Sequence, residues 1–198
     1  MRRHPSLSNS INDDVIATPS LVEAIVSRSY DLEHLSVSLM IDAGHFFDSC
    51  QPGRSWRRLR TLTLTSRVLE PMAHHEDICD LLRSASLAAL QMPRLERMVI
   101  WNSSFGDACA GIYRREKANR LATFTWRGTW DLELSHEVVQ SWKDVGSELC
   151  CLRVVKEQVH GDVKGHGSAI HLLRLPNGVI DPVSLWQLRR EDLVEQMT

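Results

Sequence analysis

One spacing of large apolar residues recurs six times in this chain and constrains its fold more than any other sequence feature. In each copy an apolar residue is followed three positions later by a second one, and two positions after that by a third. The copies are Leu32-x-x-Leu35-x-Val37, Leu59-x-x-Leu62-x-Leu64, Leu95-x-x-Met98-x-Ile100, Leu121-x-x-Phe124-x-Trp126, Leu149-x-x-Leu152-x-Val154 and Ile170-x-x-Leu173-x-Leu175. Residues two apart share one face of a strand, so the pattern predicts about six short strands that bury their apolar faces in a common core.

Helical periodicity between the strands predicts the other half of each repeat. It is clearest from His75 to Met92, where apolar residues follow a spacing of three and four. A second helix is expected from Glu137 to Val145 with Ser135 as its cap. A third helix candidate, 156–166, is expected to be short or irregular because of its glycines. Asp181-Pro182 is typical of the start of a closing helix.

Alternating strands and helices are typical of a leucine-rich repeat, in which equivalent strands are parallel and the crossovers right-handed. The copies begin at irregular intervals, which indicates a degenerate array with insertions. We therefore predict an α/β protein, a short irregular leucine-rich-repeat-like solenoid with a parallel sheet of about six strands backed by helices. Residues 1–19 are expected to form a flexible polar arm, and 20–198 a single domain with a C-terminal capping helix.

Composition narrows the environment and the partners. The net charge of -2 leaves no global field that would attract nucleic acid or an acidic membrane. Five cysteines without a Cys-x-x-Cys pair, and no apolar leader, predict a reduced intracellular protein, cytoplasmic or nuclear. We expect no cofactor, no membrane contact and no nucleic-acid partner, and the composition leaves the oligomeric state open.

Four stretches of the chain carry a family resemblance, namely LSVSLMIDAGHFF (35–47), LRTLTLTSRVL (59–69), TWRGTWDLEL (125–134) and PVSLWQLRRE (182–191). They resemble a family of uncharacterised proteins from filamentous fungi whose longer members look like F-box proteins. The resemblance covers residues 30–192 and implies no catalytic residue. An F-box would appear as a helical segment before the repeats, and here only the polar arm precedes them, so we expect the ubiquitin-ligase adaptor to be lacking if the chain is complete. The alternatives are a truncated paralogue, a fragment of a longer F-box protein and a repeat region put to another use.

The strand residues that alternate with the buried ones are expected to line a concave face. Among them are one tryptophan and four arginines, namely Arg97, Trp101, Arg127, Arg153 and Arg174. Arginine presents a planar fork of donors that suits carboxylate or phosphate, and an arginine beside a tryptophan is common in binding hot spots. We therefore hypothesise that this face holds an acidic or phosphorylated protein partner. The alternative is a solvated face without a ligand.

The segment Trp130-Asp131-Leu132-Glu133 supports a competing hypothesis. Asp131 and Glu133 lie on one side of an extended chain next to Trp126 and Trp130, and two such carboxylates are able to act as general acid and base. On this interpretation the protein is a small-molecule enzyme of fungal metabolism. The simpler interpretation is a pair of exposed charges that flank a buried tryptophan.

Three other clusters favour structural explanations. The run 74–77 combines histidines with carboxylates at a helix start, where carboxylates favour the helix dipole. The three histidines at 160, 166 and 171 lie in a glycine-rich stretch without zinc-type cysteine spacing. Four arginines surround Trp56, a composition suited to nucleic acid but equally to a loop entering a strand. We predict no metal site.

Overall fold

A computed structural model describes residues 18–116, 121–146, 151–180 and 184–188. The helices are α1 (Pro19–Ser29), α2 (Ala43–Asp48), α3 (His75–Leu90), α4 (His136–Val145) and α5 (His166–Leu172). The strands are β1 (His34–Ser36), β2 (Thr61–Thr65), β3 (Arg97–Ser104), β4 (Asp107–Glu116), β5 (Leu121–Gly128) and β6 (Cys151–Gln158). Residues 184–188 are also helical, whereas the rest of the expected closing helix and the arm up to residue 17 lie outside the described residues.

The six strands form one mixed sheet in the order β1-β2-β3-β4-β5-β6. Strands β1, β2 and β3 are parallel, β4 is antiparallel to both of its neighbours, and β5 and β6 are parallel again. The prediction of an all-parallel solenoid is therefore wrong, although the mixed α/β class and the six-stranded sheet backed by helices are confirmed. The physical reason is the link between β3 and β4, because two residues are enough for a hairpin but too few for a parallel crossover. Gly106 makes that turn with a φ of 87°, a conformation that glycine adopts at little cost.

Within the described residues, five of the six apolar copies overlap strands, and the sixth does not. Leu149 of the fifth copy lies outside the described residues. Ile170 lies in α5, and Leu173 is its C-cap residue. Residues three apart also share one side of a helix, so the first half of the repeat pattern is compatible with either structure. The prediction of a strand at 170–175 is wrong for this reason, and the sheet has six strands because it contains β4, which was not predicted.

Helices α3 and α4 confirm the periodicity predictions. Helix α3 buries the predicted apolar residues against the sheet, and α4 is capped by the Ser135 side chain, which accepts a hydrogen bond from the Val138 amide at 3.3 Å. Trp142 of α4 stacks against Tyr113 and Phe124 of the sheet, with ring centroids 5.0 Å apart in both pairs. These rings join α4 to β4 and β5.

The sheet separates two apolar clusters. Helices α1 to α4 cover one face, which we call the helical face, and the alternate residues of the strands point to the opposite face. Residues 159–180, here named the C-terminal segment, return over part of this second face. They pack apolar side chains onto Val99, Trp101, Ala108 and Ala110. No helix within the described ranges has both the length and the apolarity that a membrane span requires.

A basic row across the second face of the sheet

One position on each of the six strands falls in a single line across the second face. Cross-strand partners in consecutive pairs connect these positions. From one edge to the other, the line consists of His34, Thr61, Arg97, Arg114, Thr123 and Arg153. Directly paired residues of neighbouring strands point to the same face, so these side chains project together. We call this line the basic row.

The basic row contains three guanidinium groups and no carboxylate. The Arg114 side chain is 63% exposed, Arg153 is exposed and Arg97 is half-buried. The Nη2 atom of Arg114 forms a long ion pair with the Glu116 carboxylate at 3.8 Å. Among the described residues, no carboxylate lies within ion-pair distance of Arg97 or Arg153. The guanidinium groups therefore keep most of their capacity to bind an external anion.

Hydroxyl and apolar side chains lie beside the arginines. The Thr61 hydroxyl and the His34 Nδ1 atom are 2.8 Å apart and share a hydrogen bond, which orients the imidazole at the β1 end. The next line of the sheet toward the C-terminal segment contains Ser36, Thr63, Val99, Ile112, Thr125 and Val155. This second line also contains no carboxylate, so nothing in it would repel an anion held by the basic row.

Trp101 was expected to be an exposed anchor, and the structure buries it completely. Its exposed fraction is 0%, and its ring is perpendicular to the His166 ring, with the centroids 5.9 Å apart. The indole Nε1 donates to the Ser38 hydroxyl at 3.1 Å. The reason is that the C-terminal segment folds back over this end of β3, where the prediction placed open solvent. Trp101 therefore holds the fold together and is not accessible to a partner.

Arg127 lies on the second face as predicted, but its side chain is used inside the molecule. Its Nε donates to a carboxylate oxygen of Glu157 at 2.6 Å, and its Nη1 donates to the Leu173 carbonyl at 2.6 Å. The side chain is only 18% exposed. Arg127 thus connects the sheet to the end of α5, since it bonds to a strand residue and to the C-cap carbonyl together.

Arg174 is exposed, but it does not lie on the sheet. It follows α5 in a turn, with a φ of 48°, because the sixth apolar copy forms a helix and not a strand. Of the five predicted partner-binding residues, the structure brings Arg97 and Arg153 into one row. It places Trp101, Arg127 and Arg174 elsewhere.

The carboxylates of the competing hypothesis are not enclosed. Asp131 is 65% exposed and pairs with the Lys156 ammonium at 3.2 Å, while Glu133 is exposed. Trp126 is buried and packs against Trp130, with ring centroids 5.0 Å apart. The arrangement matches a pair of exposed charges that flank buried rings. An open cleft within the described residues is lined by the C-terminal segment and Leu185, far along the chain from Asp131.

The remaining clusters have structural partners. Trp56 is buried, and its Nε1 donates to the Ser29 hydroxyl at 2.7 Å, so it offers no exposed ring for base stacking. His75 bonds through Nε2 to the Glu133 carbonyl at 2.6 Å, which ties the start of α3 to the segment before α4. His166 shares a hydrogen bond with Ser103 at 2.7 Å. In the described part of the chain, no group of three or more His, Cys, Asp or Glu residues is arranged to hold a metal ion.

Arg114 is the functional candidate that sequence reasoning missed, since no strand was predicted between the third copy, which ends at Ile100, and the fourth, which begins at Leu121. A signal for it exists in the sequence. The run 107–116 is rich in small and apolar residues, follows a Phe-Gly turn, and ends in an alternation of Ile112, Arg114 and Glu116 with other residues. Recognition of a hairpin at Gly106 would have placed Arg114 opposite Arg97.

The fold and this face define a mixed α/β protein with a line of basic side chains across one side of its sheet. Such a surface is chemically suited to hold an anionic group. The chain belongs to a family of unknown function, DUF6546, whose model matches residues 2–181. Comparison with curated proteins and with solved structures found no match.

Proposed function

We propose that this protein is an interaction module that holds an acidic or phosphorylated segment of a protein partner on its basic row. The observation that carries the proposal is the alignment of Arg97, Arg114 and Arg153 in one register line without a carboxylate in it. Because each arginine belongs to a strand of one hydrogen-bonded sheet, the backbone fixes the positions of the three Cβ atoms before a ligand binds. Such preorganisation reduces the entropy lost on binding.

The spacing of the row indicates the form of the ligand. Arg97 and Arg114 are direct partners, about 5 Å apart at Cα, so their two forks suit a single phosphate or carboxylate. Arg153 lies two strands beyond Arg114, about 10 Å away. An extended peptide advances about 3.4 Å per residue, so a segment lying across the strands would meet both sites with acidic groups about three residues apart.

Trp101 and Arg127 have no part in this proposal, because both are used within the molecule. A role as a substrate receptor related to F-box proteins stays a prediction that rests on the sequence resemblance. The small-molecule enzyme has no observation in its favour, since Asp131 and Glu133 are exposed beside a core whose rings face inward.

A peptide-binding measurement tests the proposal. The probe is a fluorescent peptide with two phosphoserines three residues apart, compared by anisotropy with its unphosphorylated form. The Arg97→Glu/Arg114→Glu variant is expected to lose at least about a hundredfold in affinity, because a hydrogen bond to a charged group contributes about 1.5–3 kcal/mol. The matched control is Arg28→Glu/Arg83→Glu, which makes the same change in net charge at exposed positions on α1 and α3.

The control is expected to bind within about twofold of the wild type, since surface charges away from a contact have small effects. Equal losses in the two double variants would reduce the effect to net charge and contradict the proposal. So would equal binding of the phosphorylated and unphosphorylated probes. Circular dichroism of each variant would show that the fold is retained.

A further inference from the structure

Strand β6 is an outer strand of the sheet, and it is long and accessible. It pairs with β5 on one side, and no other strand in the described ranges covers its opposite edge. All eight of its residues are exposed or half-buried, and Leu152, Val154 and Val155 give it an apolar centre. An edge strand of this length presents a row of backbone groups that can accept another strand.

The backbone groups that point outward can be identified. The Val159 amide donates to the Gly128 carbonyl at 2.9 Å, and this bond continues the parallel ladder between β5 and β6. Along a parallel strand, alternate residues bond to the same neighbour. The amides and carbonyls of the odd-numbered residues therefore face β5. Those of the even-numbered residues face the open edge, namely those of Leu152, Val154, Lys156 and Gln158.

The sequence of β6 is complementary to itself in one antiparallel register. Residues directly opposite each other in an antiparallel pair have their backbone groups oriented alike, both toward the partner strand or both away from it. The twofold axis therefore has to lie between the two copies of one residue. An axis at Arg153 or at Lys156 would place two like charges directly opposite each other. An axis at Val154 would set Arg153 against a valine. An axis at Val155 sets Arg153 opposite Glu157 twice, with the two valines meeting at the centre.

Glu157 is already in position for this pairing. It lies on the second face beside Arg127, whose Nε is 2.6 Å from its carboxylate, and its side chain remains 42% exposed. Side chains directly opposite each other on paired strands have Cβ atoms about 4.5–5.5 Å apart, within reach of an ion pair. Glu157 would thus lie between Arg127 of its own chain and Arg153 of a second copy.

We infer that β6 is a homodimerisation edge, which binds β6 of a second copy in antiparallel orientation with the twofold axis at Val155. The two six-stranded sheets then form one continuous sheet. Because the axis is perpendicular to the sheet, the second faces of both copies lie on the same side. In the dimer each Arg153 is paired with Glu157 of the second copy, and the Arg97 and Arg114 pairs of both basic rows stay available on one surface, which gives avidity toward a partner with repeated anionic groups. The inference stands independently of the proposed function.

A charge exchange tests the inference by sedimentation velocity between about 1 and 100 μM, the range in which weak interfaces dissociate. Wild-type protein is expected to dimerise with increasing concentration. Arg153→Glu and Glu157→Arg are each expected to weaken the dimer at least tenfold, because each places like charges opposite each other at two positions. An equimolar mixture of the two variants is expected to restore dimers, since every facing pair is then of opposite charge.

A variant that removes a backbone amide tests the hydrogen bonds of the β6 edge independently of its charged side chains. Val154→Pro removes an amide that points away from β5, so the dimer is expected to be lost while the fold is kept. Val154→Thr keeps that amide and a branched side chain, and it is expected to dimerise like the wild type. Wild-type protein that stays monomeric throughout the range would overturn the inference. So would dimers that persist in both Arg153→Glu and Val154→Pro.

Discussion

Replacement of Trp101 by alanine measures how tightly the C-terminal segment is held on the second face. Trp101 is fully buried, contacts His166, and donates to Ser38. A buried aromatic side chain removes about 200 Å² from water, which at about 25 cal/mol per Å² corresponds to about 5 kcal/mol. The unfolded chain already shields part of that area, so the expected loss is about 3–4 kcal/mol, in line with the roughly 3–5 kcal/mol typical of this substitution in cores.

Urea unfolding followed by far-ultraviolet circular dichroism is the appropriate assay, because the variant changes the tryptophan fluorescence itself. The control is Phe105→Ala at the β3–β4 turn, where the ring is 84% exposed and the expected change is within about 0.5 kcal/mol. Trp101→Phe keeps most of the ring contacts and is expected to fall between the two. If Trp101→Ala costs no more than Phe105→Ala, the segment does not cover Trp101, and the argument for a closed end of the second face is wrong.

Two further predictions concern thiol reactivity and close packing. In a Cys150→Ser background, maleimide at pH 8 is expected to label the exposed Cys151 well before Cys50 or Cys109, as peptide mass spectrometry would show. Burial raises the pKa of Cys50 to about 12 and raises that of Cys109 as well, so both thiols stay protonated at that pH, and equal labelling rates would contradict this. Gly128→Ala is expected to lower stability by about 1–3 kcal/mol, because a Cβ there would lie 3.0 Å from the Cys109 Cβ and within 3.2 Å of two backbone carbonyl oxygens; an unchanged melting temperature would refute it.

The candidate site was predictable in part, and the division follows from how each residue is placed. Arg97 and Arg153 were assigned to the second face by alternation within their own strands, which is a local property. Arg114 was missed with its strand. The contacts of Arg127 were not predictable, since they depend on where the Leu173 carbonyl lies after the chain has folded back over the sheet.

The amino-acid sequence by itself determined helices α3 and α4 and most of the strands, whereas α1, α2 and α5 were not predicted. Periods of 2 and 3.6 residues are written into single stretches of chain, as α3 and β5 illustrate. The antiparallel pairing of β3 and β4 follows from the two-residue turn at Gly106, which is a local signal in the sequence. Tertiary structure alone decided the fate of the segment 170–175 and which arginines stay accessible. These depend on contacts between segments far apart in sequence. The same apolar spacing forms a strand where a neighbouring strand is available to pair with, and a helix where, as in α5, it packs across the sheet.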